Sequence, residues 1–541
     1  MTRPPSGLPQ AGRLARFLQS SLGSRSVAAA AGVVAFGFVG SRVLGLVRQV
    51  VIARAFGTEP ELSAYWVAFR LPDLVFQLLA GATLAAAFIP TFSRVHLRAG
   101  EEQAWRLASS VLNLVAIATG VLAAVAFVVA PLIVPWLAPG LGEDSGREAE
   151  LQSLAVELTR IMLLSPLLFG VSGMLTGILN ARQHFVAPAL APMVYNASII
   201  LGALFLAGPM GVRGLALAVV VGAAGHLAIQ LPALSAVGMR WQPSFDVASE
   251  GVREVGRLMG PRVIGLAAAQ VNFVVVTFFA SFVSDEAISA VNYAFLMAML
   301  PVGIIGMAIS TAVFPTLATQ AAARQIETLQ ASLASTLRVI LFLALPASIG
   351  LLLLAEPAVV LLLQRGAFDA ASSEVVASAL RFFAIGVAAS ATIEILSRGF
   401  YAMADTRTPV TMAVLAMLAN VALAGALVAP FGIRGLAAAA SIASIAECVA
   451  LWLALQRRLG GIGRRAVGRS LARTGLATAL MAEAISLVWI AFAVAGVDVG
   501  TTLGALGLAV VGGLAGAVAF VGASAWTGNE AYRALVGRLG V

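Results

Sequence analysis

The sequence contains no lysine, so all 34 of its basic residues are arginine. Without lysine the chain cannot carry the phosphate-binding loop of P-loop ATPases, whose motif requires one. Its single cysteine, Cys448, cannot form a disulfide within the chain. The three histidines, His96, His184 and His226, lie too far apart in sequence to show the spacing of a metal site. We therefore expect no metal and no P-loop ATP hydrolysis.

Charged residues are also scarce, at 11% of the chain against roughly a quarter in soluble domains. Hydrophobic residues make up 60%, and the mean hydropathy is +0.97. This composition cannot cover a water-facing surface and predicts an integral membrane protein. The net charge of +9 would suggest nucleic-acid binding in a soluble protein. Here the arginines lie in short connections between apolar runs, which indicates control of membrane topology instead, and we expect no nucleic-acid partner.

The apolar runs predict an all-α integral membrane fold with about 14 transmembrane helices, because about 20 apolar residues cross a bilayer as a helix. If the N-terminus lies in the cytoplasm, the connections after even-numbered spans should be basic. Three of them carry Arg94, Arg98, Arg106, Arg240, Arg253, Arg257, Arg457, Arg458, Arg464, Arg465, Arg469 and Arg473. The pattern predicts a multi-pass inner-membrane protein with both termini in the cytoplasm.

Three short motifs occur twice, about 220 residues apart. The pairs are SRVLGL at 41–46 with PRVIGL at 261–266, AFIPTF at 87–92 with AVFPTL at 312–317, and GVRGLA at 211–216 with GIRGLA at 432–437. Apolar sequence can look self-similar by chance, but the placement of Arg, Pro and Gly favours a true repeat. Six spans per copy predict two parallel lobes, the frame of many transporters.

The predicted division follows from the spans and the repeat. It gives an N-terminal cytoplasmic tail at 1–26, an N-lobe at 27–237, a cytoplasmic linker at 238–257, a C-lobe at 258–456, a basic loop at 457–470, two additional helices at 471–526 and a C-terminal cytoplasmic tail at 527–541.

Arginines inside the predicted spans are the most informative residues, because each costs roughly 2.5–3.5 kcal/mol at mid-membrane on insertion scales. Arg42 and Arg48 lie in the first span, and Arg262 occupies the position equivalent to Arg42 in the second copy. Guanidinium groups bind phosphate through paired hydrogen bonds. We expect these three, with Arg54 and Arg70 nearer the outer water, to bind an anionic substrate. The alternative for each arginine is that its side chain extends to the membrane–water interface or forms a structural ion pair.

Few acidic residues lie in the spans to pair with these arginines. Asp73 follows the second span's Pro72, and Glu394 precedes Arg398 by one helical turn. Glu394 and Arg398 either neutralise each other or form a site for a proton or cation. We therefore expect Asp73, Glu394 and Arg398 to be candidate ion or gating residues.

Several motifs resemble the MurJ/MviN family. They are SRVLGLVR at 41–48, ARAFG at 53–57, AFRLPDL at 68–74, AFIP at 87–90, GILN at 177–180, GFY at 399–401 and DTRTP at 405–409. The resemblance covers roughly residues 27–526. It implies a lipid II flippase of the MOP superfamily and not an enzyme.

Such proteins have two six-helix lobes in a V shape plus two C-terminal helices, which border a groove for a polyprenyl tail. By alternating access they move a polyprenyl-diphosphate-linked peptidoglycan precursor to the periplasmic leaflet, in cell-wall biogenesis and the maintenance of cell shape. Arg42 and Arg48 fall on family positions regarded as essential. The expected partners are this precursor, membrane lipids and cell-wall synthesis proteins, with no cofactor beyond a coupling cation or the membrane potential.

The sequence departs from the family at four charged positions. Gln49 and Ser63 stand where acidic residues are usual, and Phe76 and Leu296 stand where arginines are expected. Arg262 compensates for these losses in our hypothesis. The departures leave three alternatives open: an exporter of another lipid-linked glycan, a cation-coupled drug exporter on the same fold, and a non-transporting cell-wall scaffold.

Overall fold

The structure, a computed structural model, describes residues 13–79 and 82–533; within these ranges the side chains of 13–31, 79, 82–86, 260–269 and 464 lie outside that description. Its α-helices are α1 Arg13–Phe56, α2 Pro60–Leu79, α3 Ala82–Ala99, α4 Glu101–Leu137, α5 Glu148–Met162, α6 Leu164–Ala181, α7 Val186–Phe205, α8 Ala207–Met210, α9 Val212–Ala228, α10 Leu231–Ala236, α11 Glu250–Ser281, α12 Ala287–Pro301, α13 Ala308–Ala322, α14 Ile326–Leu353, α15 Ala355–Leu363, α16 Ala370–Ala402, α17 Arg407–Leu459, α18 Arg464–Val494 and α19 Thr502–Trp526. A π-helix, Val302–Met307, joins α12 to α13 directly after Pro301.

Eleven helical segments among the described residues are long and apolar enough to cross a membrane. One of them, α17, consists of two helices that meet at Gly432, whose backbone is not helical. Helices α2 and α3, of 20 and 18 residues, are not among these eleven, and neither is the shorter apolar stretch Gln270–Ser281. The all-α integral membrane fold is confirmed, and these elements are consistent with the predicted 14 spans.

Some predicted segment boundaries differ from the ends of the helices. Helix α1 already begins at Arg13, inside the predicted N-terminal tail, whose first twelve residues lie outside the described ranges. The basic loop at 457–470 is mostly helical, since α17 continues to Leu459 and α18 begins at Arg464. Arginine is a good helix former and lets an apolar span continue into water, which hydropathy alone does not register.

The first sign of the repeat in the backbone is a glycine kink. Gly211 has φ 56° and ψ −142°, and Gly432 has φ 54° and ψ −134°, a region open essentially to glycine alone. Three residues after each kink a second glycine passes close to a carbonyl group. A Cβ on Gly214 would lie 2.8 Å from the Leu206 oxygen, and one on Gly435 would lie 2.1 Å from the Leu427 oxygen. Both copies thus bend in the same way.

A second turn also recurs 221 residues later, the difference between 183 and 404. Gln183 and Ala404 both have φ 58°, although neither is glycine. The next residue donates its amide to a carbonyl five positions back in each copy, from His184 to Leu179 at 2.8 Å and from Asp405 to Phe400 at 3.0 Å. These matched turns support the predicted repeat, while the lobe boundaries remain a prediction.

Two compact units make up the chain. The first contains residues 1–48, 75–123 and 164–263, with a core around Phe88, Trp105 and Ile178. The second contains residues 49–74, 124–163 and 264–541. Its larger core lies around Leu333, Ile395 and Leu455, and a smaller one joins α14 to α18 and α19.

Helix α16 begins with a side-chain cap whose contribution to stability we expect to be measurable. The Asp369 carboxylate accepts the Ser372 amide at 2.8 Å, and this hydrogen bond lowers the pKa of Asp369 below its usual 3.8. We expect Asp369→Ala to cost about 0.5–2 kcal/mol of stability at neutral pH. Because the folded-state pKa is the lower one, the contribution is present above the unfolded pKa and is lost as pH falls through the folded pKa.

Thermal unfolding of the purified protein in detergent, at neutral pH and below pH 4, measures this effect. The gap between the parent and Asp369→Ala should shrink in acid, and Asp369→Asn should retain the cap at both pH values. A gap that does not change with pH would contradict the assignment.

Candidate functional site

Helix α1 packs on α7 through small residues, and this packing determines where its arginines lie. The Ser41 carbonyl accepts the Asn196 side-chain amide at 3.3 Å, and Gly40 lies against Met193. At about 100° per residue, Arg48 lies on the same side of α1 as Ser41, while Arg42 lies about 120° away from Arg48. The two arginines therefore occupy different faces of the helix.

Arg42 is exposed, and its guanidinium lies 5.3 Å from the centre of the Phe38 ring. Such a cation–π contact uses the face of the guanidinium and leaves its N–H groups free to donate. Among the described residues no carboxylate forms an ion pair with Arg42. Its hydrogen-bonding capacity is available to a ligand.

Arg48 is half-buried, and its Nε is buried without a hydrogen-bond acceptor. A buried donor left unpaired costs about 1–3 kcal/mol, and more when it is charged. The next residue, Gln49, likewise has a buried side-chain oxygen that accepts no hydrogen bond. Within the described ranges Arg48 forms no ion pair. An unpaired guanidinium in a membrane span has the chemistry expected of an anion-binding group.

Arg262 and Arg54 differ from Arg42 and Arg48 in what the structure shows of them. Arg262 lies on α11, but its side chain is outside the described residues, so its convergence with Arg42 and Arg48 stays a prediction. Arg54 is exposed near the end of α1, where its carbonyl accepts the Ala367 amide at 2.9 Å. The close approach continues at Gly366, where a Cβ would lie 2.4 Å from the Arg54 oxygen. The backbone of Arg54 thus joins α1 to the α15–α16 connection.

Arg70 is fully engaged with neighbouring helices. Its Nε donates to the Thr277 hydroxyl at 2.9 Å and its Nη2 to the Asn292 side-chain oxygen at 3.0 Å. The guanidinium lies 5.4 Å from the Phe273 ring centre. Asp73, three residues further along α2, acts on Arg70 electrostatically. Arg70 thus connects α2 to α11 and α12 in this structure.

Glu394 and Arg398 form the ion pair that their spacing predicts, at 3.8 Å. Arg398 also donates to the Thr311 hydroxyl at 2.9 Å and lies 5.8 Å from the Phe314 ring centre. This geometry favours the neutralised pair over a free carboxylate at Glu394. The role of the pair as an ion or gating site remains a prediction.

Several polar contacts near the α1–α2 turn were not predicted from sequence. Ser63 and Ser289 are hydrogen-bonded through their hydroxyls at 3.0 Å, and Thr58 is similarly bonded to Ser372 at 2.9 Å. The buried Asp285 carboxylate accepts two backbone amides, from Gly142 at 2.6 Å and from Ser145 at 3.0 Å.

We call these contacts, together with those of Arg70, the α1–α2 gate. They join residues of the first sequence repeat to residues of the second. Two of the six bonds link uncharged groups, each worth about 0.5–1.5 kcal/mol net, and the other four involve one charged group, Asp285 or Arg70. None joins two charged side chains, so the set can part without separating an ion pair. One sequence signal pointed here, since Ser63 replaces an acidic residue usual in the resembling family.

Comparison with known proteins places the chain in a family. The lipid II flippase MurJ family matches residues 52–503. Lipid II flippase MurJ of Burkholderia cenocepacia is 32% identical over 424 residues, covering 77% of this chain and 81% of the relative. The probable lipid II flippase MurJ of Haemophilus influenzae is 30% identical, covering 77% and 84%.

Solved structures show the same fold. A lipid II flippase MurJ in an inward closed conformation has a TM-score of 0.75 at 23% identity, covering 93% of this chain and 99% of that one. An inward-facing multidrug resistance transporter of the MATE family, within the MOP superfamily, has a TM-score of 0.64 at 16% identity, covering 78% and 94%. Because the family model matches residues 52–503, most of its length, the chain belongs to the lipid II flippase MurJ family.

Proposed function

We propose that this protein moves lipid II, the polyprenyl-diphosphate-linked peptidoglycan precursor, from the cytoplasmic to the periplasmic leaflet by alternating access. One observation carries the proposal beyond family membership. In the described part of the chain, Arg42 and Arg48 lie in a membrane span without a carboxylate partner, and Arg48 keeps a buried, unbonded Nε. A charge kept in this state at a cost of several kcal/mol indicates a role in binding.

The chemistry of the headgroup matches these groups. A diphosphate is doubly anionic or more and offers several acceptor oxygens, and guanidinium binds phosphate in a bidentate manner. Arg42 has free N–H groups beside Phe38, and the Nε of Arg48 has no acceptor among the described residues. Arg262 joins them in this proposal, since the repeat places it at the position equivalent to Arg42.

The polyprenyl tail stays in lipid beside α18 and α19 as the headgroup crosses. Both helices expose large apolar side chains, among them Val494, Leu503 and Trp526, which are about four-fifths exposed. A lipid chain in contact with these side chains needs no polar partner. The protein therefore has to shield only the headgroup from the hydrocarbon.

Orientation and energy source belong to the same proposal. Both termini lie in the cytoplasm, because the arginine-rich connections then lie inside. The α1–α2 turn consequently faces the periplasm. The membrane potential, worth about 2.3 kcal/mol per charge per 100 mV, or a coupling cation drives the cycle. Cell-wall synthesis proteins that use the delivered precursor are the expected partners.

A cation-coupled drug exporter is the closest rival on this fold, and it would need an acidic pocket for organic cations. The candidate acid Glu394 is paired with Arg398 at 3.8 Å. The likeness to MATE transporters concerns the fold alone, at 16% identity. The charges left unpaired on α1 are positive, which favours an anionic substrate.

Translocation in proteoliposomes tests the proposal. Fluorescent lipid II is enclosed in vesicles with the purified chain, and an enzyme that modifies its headgroup is added outside. We expect the protein to expose the inner-leaflet lipid to that enzyme, and heat-inactivated protein to leave it protected. Vesicles in which active and inactivated protein give equal protection would contradict the proposed function.

A further inference from the structure

Arg70 is the one charged side chain of the α1–α2 gate that donates to both α11 and α12. It lies ten residues into α2, about 15 Å along the helix at 1.5 Å per residue. With α2 beginning at the periplasmic surface, as the proposed orientation requires, Arg70 then lies at about half of the roughly 30 Å hydrocarbon thickness, deeper than its place in the sequence suggested. Any headgroup that crosses the bilayer has to pass this depth.

The acceptors that hold Arg70 are weaker than the substrate would be. Thr277 and Asn292 each offer one uncharged oxygen, at 2.9 Å and 3.0 Å. A phosphate is a charged acceptor and can take two parallel N–H···O bonds from one guanidinium, which neither neutral side chain can do alone. Both acceptors also have partners of their own, since the Thr277 hydroxyl donates to the Phe273 carbonyl and the Asn292 amide to the Ile288 carbonyl. Losing Arg70 would therefore leave neither side chain without a hydrogen bond.

We propose that Arg70 couples substrate binding to gate opening by transferring its donors to the substrate, an inference that rests on the proposed function. In the structure seen here, Arg70 holds α2 against α11 and α12. When the diphosphate reaches mid-membrane, it takes the guanidinium donors of Arg70 from Thr277 and Asn292. The gate then retains only its hydroxyl and backbone bonds and parts, so that opening follows loading.

Cross-linking across the gate measures this coupling. Cys448→Ala removes the native cysteine, and Ser63→Cys with Ser289→Cys places thiols where two hydroxyls lie 3.0 Å apart. The full chain in nanodiscs is oxidised mildly with and without lipid II. With Arg70 present, we expect lipid II to lower disulfide formation about threefold or more, since a ligand shifts a two-state equilibrium by its differential affinity.

In an Arg70→Gln background we expect lipid II to bind but to leave disulfide formation unchanged. The matched control is Arg160→Gln. Arg160 also donates to a neutral acceptor, the Phe127 carbonyl at 3.2 Å, and lies 4.9 Å from the Phe127 ring centre, but both contacts are local to one repeat. The control should respond to lipid II as the parent does. A full response in Arg70→Gln would overturn the coupling.

A second variant keeps the proposal testable if Arg70→Gln does not fold. Asn292→Leu removes one acceptor and keeps Arg70, so we expect less disulfide before lipid II is added. Disulfide formation equal to the parent would contradict a holding role for Arg70. The two proposals fail separately: a parent that binds no lipid II defeats the proposed function, whereas a parent that transports while Arg70→Gln still responds defeats only the coupling.

Discussion

Replacing Arg48 with alanine should reduce lipid II translocation in proteoliposomes by about 10- to 100-fold, the largest loss we expect from one side chain. A hydrogen bond to a charged group contributes about 1.5–3 kcal/mol net, and each 1.4 kcal/mol is a factor of ten. The buried Nε of Arg48 has no hydrogen-bond acceptor among the described residues. A hydrogen bond from it to the substrate therefore replaces none that the protein already makes. Lysine cannot form the bidentate contact, and Arg48→Lys should recover only part of the rate.

Arg42→Ala should give a smaller loss than Arg48→Ala, because Arg42 is exposed and partly satisfied by the Phe38 ring. The matched control is Arg160→Ala, which removes an arginine from a span without an assigned role in binding. Its rate should equal that of the parent. If Arg42→Ala and Arg48→Ala both transport at the parental rate, the headgroup site proposed on α1 is wrong.

Gly435→Ala should be the most destabilising small substitution in the second repeat, costing about 2–3 kcal/mol. A Cβ at this position would lie 2.1 Å from the Leu427 oxygen and 2.7 Å from its carbonyl carbon. Both atoms belong to the main chain of the kink in α17, so neither can rotate away. The kink itself depends on Gly432, whose φ of 54° and ψ of −134° exclude other residues.

The melting temperature in detergent measures this effect, and Gly513→Ala provides the control. Gly513 lies within α19 with nothing within 4 Å of an added Cβ, so alanine there should be neutral or slightly stabilising. Gly214→Ala, the repeat equivalent, should destabilise less, since its contact with the Leu206 oxygen is 2.8 Å. An equal melting temperature for Gly435→Ala and the parent would contradict the close approach.

Sequence patterns were sufficient for features that depend on local chemistry. Hydropathy and charge predicted the helical membrane fold, because crossing lipid requires apolar length and internal hydrogen bonds. The motif around Gly211 predicted its counterpart at Gly432, and both have the same backbone conformation. The spacing of Glu394 and Arg398 predicted their ion pair, since residues four apart are neighbours on a helix.

Features that depend on distant residues were not predictable in this way. Arg70 donates to residues 207 and 222 positions away, and no local pattern identifies Thr277 or Asn292 as its acceptors. The helical repeat alone places Arg42 and Arg48 on different faces of α1, but it does not predict how far each side chain is buried. The packing of α1 on α7 decides which of the two is half-buried, and that depends on tertiary contacts.

Lipid II affinity of the Arg42→Ala, Arg48→Ala double variant tests most directly whether guanidinium groups in the first span hold the headgroup. Titration in nanodiscs should show a Kd raised about 100-fold or more over the parent, as expected for losing two charge-assisted contacts, at a melting temperature no lower than that of the parent. A double variant that binds lipid II as tightly as the parent would contradict the account.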